Sequence, residues 1–147
     1  MNYTLKDVTN NPDLWKDSDP VRPDLDETFK SSPGRSVLGL SDDDGEWKAF
    51  LCYARTFLVP KDVAELEKFT SEDGNVVIPY TVWSHEKGAG RVIINEVLSM
   101  IRTKSMPVDR VVTLSPKTDM ARKFHLRNNA TQLRVNQETV NFEYEIP

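Results

Sequence analysis

Between residues 76 and 104 an apolar run passes through two glycines into a helix-period pattern, and the rest of the chain is arranged around this stretch. Val76, Val77, Ile78 and Tyr80 make the run and Gly88 and Gly90 punctuate it. Ile94, Val97, Leu98 and Ile101 then fall at i, i+3, i+4 and i+7, which predicts one apolar stripe on a helix reaching about Lys104. A strand, a glycine turn and a helix N-terminus together can hold an anion. The first-turn amides are free, the helix dipole adds partial positive charge, and glycine removes the Cβ atoms that would keep a phosphate away. The same glycines also serve a plain tight connection needing a positive φ, and both readings stand at this stage.

Upstream, residues 35–40 and 46–55 read as an antiparallel hairpin. In its second strand Trp47, Ala49, Leu51 and Tyr53 fall on one face, and Lys48, Phe50, Cys52 and Ala54 on the other. Both faces carry apolar residues, so this strand is expected to be buried on much of both. The tip, Ser41-Asp42-Asp43-Asp44-Gly45, reads as a solvated turn, since no further carboxylate is spaced to complete a calcium loop. A helix is predicted over residues 60–69, opening on Pro60, with Val63 and Leu66 inward. A strand over residues 76–83 follows a polar turn, and Pro79 marks an edge, a bulge or a place where strands part.

Downstream, residues 105–107 form a loop and the β-branched run 108–114 reads as an interior strand. Ser115 and Pro116 suit the N-cap and first position of a helix running to residue 127, with Met120, Ala121, Phe124 and His125 inward. Asn128-Asn129 can take the left-handed turn that ends it. A hairpin of residues 131–135 and 139–146 closes the pattern. The first 34 residues are the least patterned: Tyr3, Leu5 and Val8 suggest a short strand, and residues 13–16 a helical turn. Residues 24–31 suggest a short helix, with Trp15 and Phe29 as packing residues.

Composition narrows the class. At 147 residues, with 38% hydrophobic and 29% charged content, the chain suits one globular domain. No apolar run approaches the roughly 20 residues needed to span a bilayer, and the N-terminus has no signal-peptide hydrophobic region, so a cytoplasmic location is expected. The single Cys52 excludes an internal disulfide and reads as a core residue, and two histidines are too few for a zinc site of the usual kind. The net charge of −4 hides an asymmetry: acids crowd the first half, while Lys87, Arg91, Arg102, Lys104, Arg110 and Lys117 begin a basic stretch reaching Arg134. That stretch suits a multiply phosphorylated small ligand. No aromatic-interleaved basic patch points to nucleic acid.

The order of elements resembles the GNAT superfamily of N-acyltransferases, and the segment His85-Glu86-Lys87-Gly88-Ala89-Gly90 resembles that family's Gln/Arg-x-x-Gly-x-Gly/Ala phosphate loop. Histidine stands where the family has Gln or Arg. A narrower similarity, over residues 47–126, is to the GNAT-like domain of malonyl-CoA decarboxylases, carried by the glycine turn and Val112-Thr113-Leu114-Ser115-Pro116. The resemblance implies an α/β (α+β) fold of GNAT type: a mixed, mostly antiparallel central sheet with helices on both faces. It implies acetyl-CoA or coenzyme A as co-substrate, no metal, and acetyl transfer to an amine of a small molecule or peptide. The alternatives are a malonyl-CoA decarboxylase-like enzyme and a catalytically silent binding module.

On this resemblance the cofactor-binding set is Val82, Trp83, His85, Lys87, Gly88, Ala89, Gly90 and Arg91. The backbone of residues 80–84 would pair with the pantetheine arm, and Pro79 would mark the splay that makes room for it. The catalytic candidates are His125 and Ser115. His125, in Ala121-Arg122-Lys123-Phe124-His125, stands where the family often has a tyrosine that protonates the leaving thiolate, and imidazole titrates near neutral pH. Each has a structural counterpart: a partly buried helix histidine, and a helix cap. Glu86 is a further candidate base against an ordinary solvated turn residue. The apolar C-terminal hairpin is a candidate surface for pairing two copies.

Overall fold

A computed structural model describes residues 2–104 and 106–147. Among these, eight strands form one sheet and four helices pack on it. The strands are β1 (Thr4–Asp7), β2 (Arg35–Ser41), β3 (Trp47–Thr56), β4 (Val76–Ser84), β5 (Arg110–Val112), β6 (Ser115–Pro116), β7 (Thr131–Val135) and β8 (Thr139–Tyr144). The helices are α1 (Glu27–Ser31), α2 (Val63–Phe69), α3 (Ala89–Thr103) and α4 (Asp119–Arg127). The order across the sheet is β1-β2-β3-β4-β5-β8-β6, with β7 on the other edge of β8. Only β4 and β5 pair in parallel, joined by the α3 crossover; the other pairings are antiparallel. No helix is long and apolar enough to cross a membrane among the described residues.

The alternation in β3 decides how the two faces are filled. Ala49, Leu51 and Tyr53 join Ile93, Ile94, Val97, Leu98 and Ile101 of α3, with Phe142 and Tyr144 of β8, in one cluster. Phe50, Cys52 and Ala54 join Leu66 of α2 and Trp15 in the other, with Phe29 of α1 packed against it. Burial of this many apolar side chains on both sides, at about 25 cal/mol per Å² removed from water, is what stabilises a sheet with helices on both faces. Trp15 is fully buried and its indole donates to the Val8 carbonyl at 2.9 Å.

Several local expectations change. α2 begins at Val63 rather than Pro60, because Asp62 is the N-cap and accepts from Glu65 N at 2.8 Å. Pro60 is held outside the helix, its carbonyl accepting from Asn141 Nδ2 at 3.0 Å. Ser115-Pro116 opens no helix: the pair forms β6 against Val140 and Thr139 of β8, and Thr118 caps α4 by accepting from Ala121 N. A proline fits there because β6 is an end strand of the sheet. The strand expected over residues 108–114 shortens to β5, since only Val76 and Val77 of β4 lie alongside it. Trp47 leaves the Ala49 face and stacks on Phe50, centroids 5.9 Å apart, over Gly39, where a Cβ would lie 2.6 Å from the indole. Met120 is 81% exposed instead of inward. Of the loop expected at residues 105–107, Ser105 lies outside the described residues.

Candidate functional site

The central feature is a fork between β4 and β5. The two strands pair at Val76↔Arg110 and Val77↔Val111, and Leu114 N still donates to the Pro79 carbonyl at 3.1 Å. Beyond that link they part. On its other edge β4 stays bonded to β3, but with a bulge: Cys52 faces Thr81 and Tyr53 faces Pro79, which leaves Tyr80 as the extra residue. Pro79 has no N–H to give a ladder, so bulge and divergence coincide with it. The fork opens a cleft of about 440 Å³. One wall is β4 from Pro79 to Ser84; the other is Ser115, Pro116, Thr118, Ala121, Phe124 and His125.

At the Ser84 end the cleft meets the start of α3. Gly88 is the N-cap at φ 88°, and a Cβ there would touch nothing within 4 Å, so the corner is open. The Ala89 amide is already used by the Glu86 carbonyl at 3.1 Å, and the first regular helix bond is Val92 N to Gly88 O at 3.3 Å. That leaves the amides of Gly90 and Arg91 without an acceptor among the described residues. Gly90 lines the cleft, and a Cβ on it would stand 3.0 Å from Phe124 Cε1, so glycine lets α3 and α4 approach there.

On the wall facing β4 lie the two side chains with chemistry. His125 is buried, 5% exposed, stacked on Phe142 with centroids 5.2 Å apart and edge-on to Phe124. Its Nδ1 is 2.7 Å from the Tyr144 hydroxyl. Donation from that hydroxyl to an unprotonated Nδ1 is the arrangement that would put the imidazole hydrogen on Nε2. Loss of hydration lowers the His125 pKa from 6.5 to about 4, so the ring is neutral at physiological pH. Burial likewise pushes the Tyr144 hydroxyl upward, so it stays protonated. Ser115 is buried and its hydroxyl donates to Thr113 Oγ1 at 2.8 Å, which in turn accepts from Phe142 N at 3.0 Å.

Of the residues singled out from sequence, Val82, Trp83, Gly90, Ser115 and His125 line the cleft. Lys87, Gly88 and Arg91 are exposed around the start of α3, while Ala89 is buried. His85 is exposed, its N bonded to Lys48 O at 2.8 Å and its ring edge-on to Phe50. Glu86 is held by Tyr3 Oη at 3.0 Å and lies 3.8 Å from Lys48 Nζ. Sequence reasoning missed Tyr144, Arg22 and the Asp19–Lys30 pair, because each acts through partners far away in the chain. The only local signal was an arginine between prolines in an acidic stretch, Asp19-Pro20-Val21-Arg22-Pro23.

No protein-family model matches this chain, and no curated protein sequence does. Solved structures do. A GNAT-like decarboxylase, GphF, in complex with isobutyryl-CoA superposes with a TM-score of 0.75 over 98% of this chain and 100% of that one, at 12% identity. The fold is that of the GNAT acyltransferases. Malonyl-CoA decarboxylase from Cupriavidus metallidurans matches this GNAT fold with a TM-score of 0.68 at 13% identity, over 97% of this chain and 60% of that one. NAA60 from Arabidopsis thaliana in complex with acetyl-CoA matches with a TM-score of 0.61 at 14% identity, over 97% of this chain and 98% of that one. The β4–β5 fork and the glycine corner before α3 are thus parts of a GNAT-type sheet.

Proposed function

We propose that the chain is an acyl-CoA-dependent N-acyltransferase, acting by acetyl transfer to an amine of a small molecule or peptide. One observation carries the reading: a single cleft runs along β4 from the open start of α3 to His125 and Ser115. The free amides of Gly90 and Arg91, with the side chains of Lys87 and Arg91, take the diphosphate of coenzyme A. The pantetheine arm lies along the β4 edge by Val82 and Trp83 in the manner of an added strand. The thioester then reaches His125 and Ser115. There the nitrogen of a neutral amine bonds to the carbonyl carbon, the C–S bond breaks, and the proton that the nitrogen gives up passes to the leaving thiolate. His125, neutral and carrying its hydrogen on Nε2, acts as a donor to the carbonyl oxygen or the thiolate and not as the base that strips the amine.

A second reading has its own support. Among the described residues no carboxylate side chain lines the cleft, so no base for an ammonium group stands there. An apolar wall with a neutral imidazole donor suits loss of carbon dioxide from a malonyl thioester, with the enolate oxygen held by His125 and by Ser115 once its hydroxyl turns away from Thr113. Calorimetry with free coenzyme A tests the common ground. Release of free thiol from acetyl-CoA only when an amine is added supports transfer; carbon dioxide from malonyl-CoA without an amine supports decarboxylation. Absence of binding to coenzyme A and to both thioesters refutes both and leaves a GNAT-fold module with another role.

A further inference from the structure

The N-terminal segment borders the cleft beside Tyr80 and Thr81 through a cluster the chemistry above does not use. Asp19, 9% exposed, accepts from Lys30 Nζ at 2.8 Å, from Thr81 Oγ1 at 3.0 Å, and from the amides of Val21 and Arg22 at 2.8 and 3.0 Å. Thr81 belongs to β4, so this carboxylate staples residues 19–22 to the strand that walls the cleft. Arg22, 8% exposed, then spans the fork. Its Nε donates to the Tyr80 carbonyl at 3.3 Å and its Nη2 to the Leu114 carbonyl at 2.8 Å. These carbonyls lie on the two sides of the fork: Tyr80 follows Pro79 on β4, and Leu114, between β5 and β6, is the residue whose N–H makes the last direct link to Pro79 O. The guanidinium fork bridges two acceptors that the parted backbones no longer satisfy, a geometry an ammonium cannot reproduce.

Pro20 and Val21 sit between those two anchors and line the cleft. Their position follows from the bonds on either side: Asp19 is tied to Thr81 and Arg22 to Tyr80, in the middle of β4 and three to four residues before Ser84. At about 3.3 Å per strand residue, roughly 10 Å of β4 separates Thr81 from Ser84. Val21 therefore stands on the side of the cleft toward which an arm anchored at the α3 corner runs. We propose that Val21 gauges the acyl chain and restricts the cleft to short acyl thioesters, with Arg22 as the positioning residue that holds this stop in place. The inference rests on the acyl-CoA reading of the cleft.

The test is calorimetry of free, acetyl-, butyryl- and octanoyl-coenzyme A against the full chain and three variants. The wild type is expected to bind octanoyl-CoA at least tenfold more weakly than butyryl-CoA. Val21→Ala should narrow that gap below threefold. Val21→Trp should weaken butyryl-CoA at least tenfold and leave free coenzyme A within threefold. Arg22→Met, which keeps the stem and loses both donors, should abolish the chain-length discrimination while free coenzyme A binds as before, a split that general destabilisation does not produce. Binding of free coenzyme A with the same chain-length profile in both Val21 variants overturns the gauge alone. A wild type that binds neither coenzyme A nor its thioesters overturns the acyl-CoA reading and the gauge with it.

Discussion

Burying His125 as a neutral ring makes the stability of the protein depend on pH in a calculable way. The unfolded chain protonates this imidazole near pH 6.5, whereas the folded chain holds it neutral down to about pH 4. Between those values the unfolded state binds more protons, so stability is fully present above pH 6.5 and falls as pH drops through the window. Every pH unit by which the folded and unfolded pKa values differ is worth about 1.4 kcal/mol, so the whole drop attributable to His125 is about 3 kcal/mol. Carboxylates also titrate in this range, and a comparison with His125→Gln removes them, because they contribute equally to both proteins. Urea unfolding of wild type and variant at half-unit steps from pH 7.5 to 4 gives the difference directly. The variant will start less stable at pH 7, having lost the ring stacked on Phe142, and should close the gap on the wild type as the pH falls. Parallel curves, with a constant difference across the window, would refute the argument that the imidazole is buried uncharged.

Three further outcomes follow from the geometry. Replacing Lys87 and Arg91 together by Ala should weaken coenzyme A by about tenfold or more at low salt, roughly 1.4 kcal/mol, with the melting temperature unchanged; equal affinity in calorimetry removes both from the site. Lys30→Met leaves the Asp19 carboxylate buried without its cation and should cost about 3 kcal/mol in urea unfolding, and a loss under 1 kcal/mol would mean that Thr81 and the two amides suffice. Tyr144→Phe frees the His125 ring to exchange tautomers, so nitrogen NMR should show a single Nε2–H form in wild type and a mixture in the variant. An unchanged spectrum would show that the ring is oriented by something else.

What could be read in advance was what local period encodes. The stripe on α3, the alternation in β3 and the closing hairpin are set by side chains a few residues apart, and so is the glycine corner. The Ser115-Pro116 pair shows the limit. Serine followed by proline favours a helix start, but Thr118 offers the same cap three residues later, and the choice was made by β8, which meets Ser115 and Pro116 at Val140 and Thr139. Met120 follows the helical stripe yet is exposed, because α4 borders an open cleft where a core would normally lie. The Arg22 bridge was out of reach for a similar reason: its acceptors are 58 and 92 residues away, and no local pattern announces them.

The extra residue at Tyr80 gives β4 two halves with different phase. Val77 packs with the α3 cluster and Val76, Ile78 and Tyr80 with the opposite one, yet further on Val82 belongs to the α3 side and Trp83 to the other. A strand of unbroken alternation would have carried Val82 with Tyr80 and turned the Trp83 indole toward α3. Deleting the extra residue would leave Val82 and Trp83 on their present faces but erase the bulge that coincides with the parting of β4 from β5, whereas straightening the strand with every residue kept would exchange a valine and an indole across the sheet. The length of this strand is thus fixed to the residue, and the family of sequences able to keep the cleft can vary its side chains far more freely than its spacing.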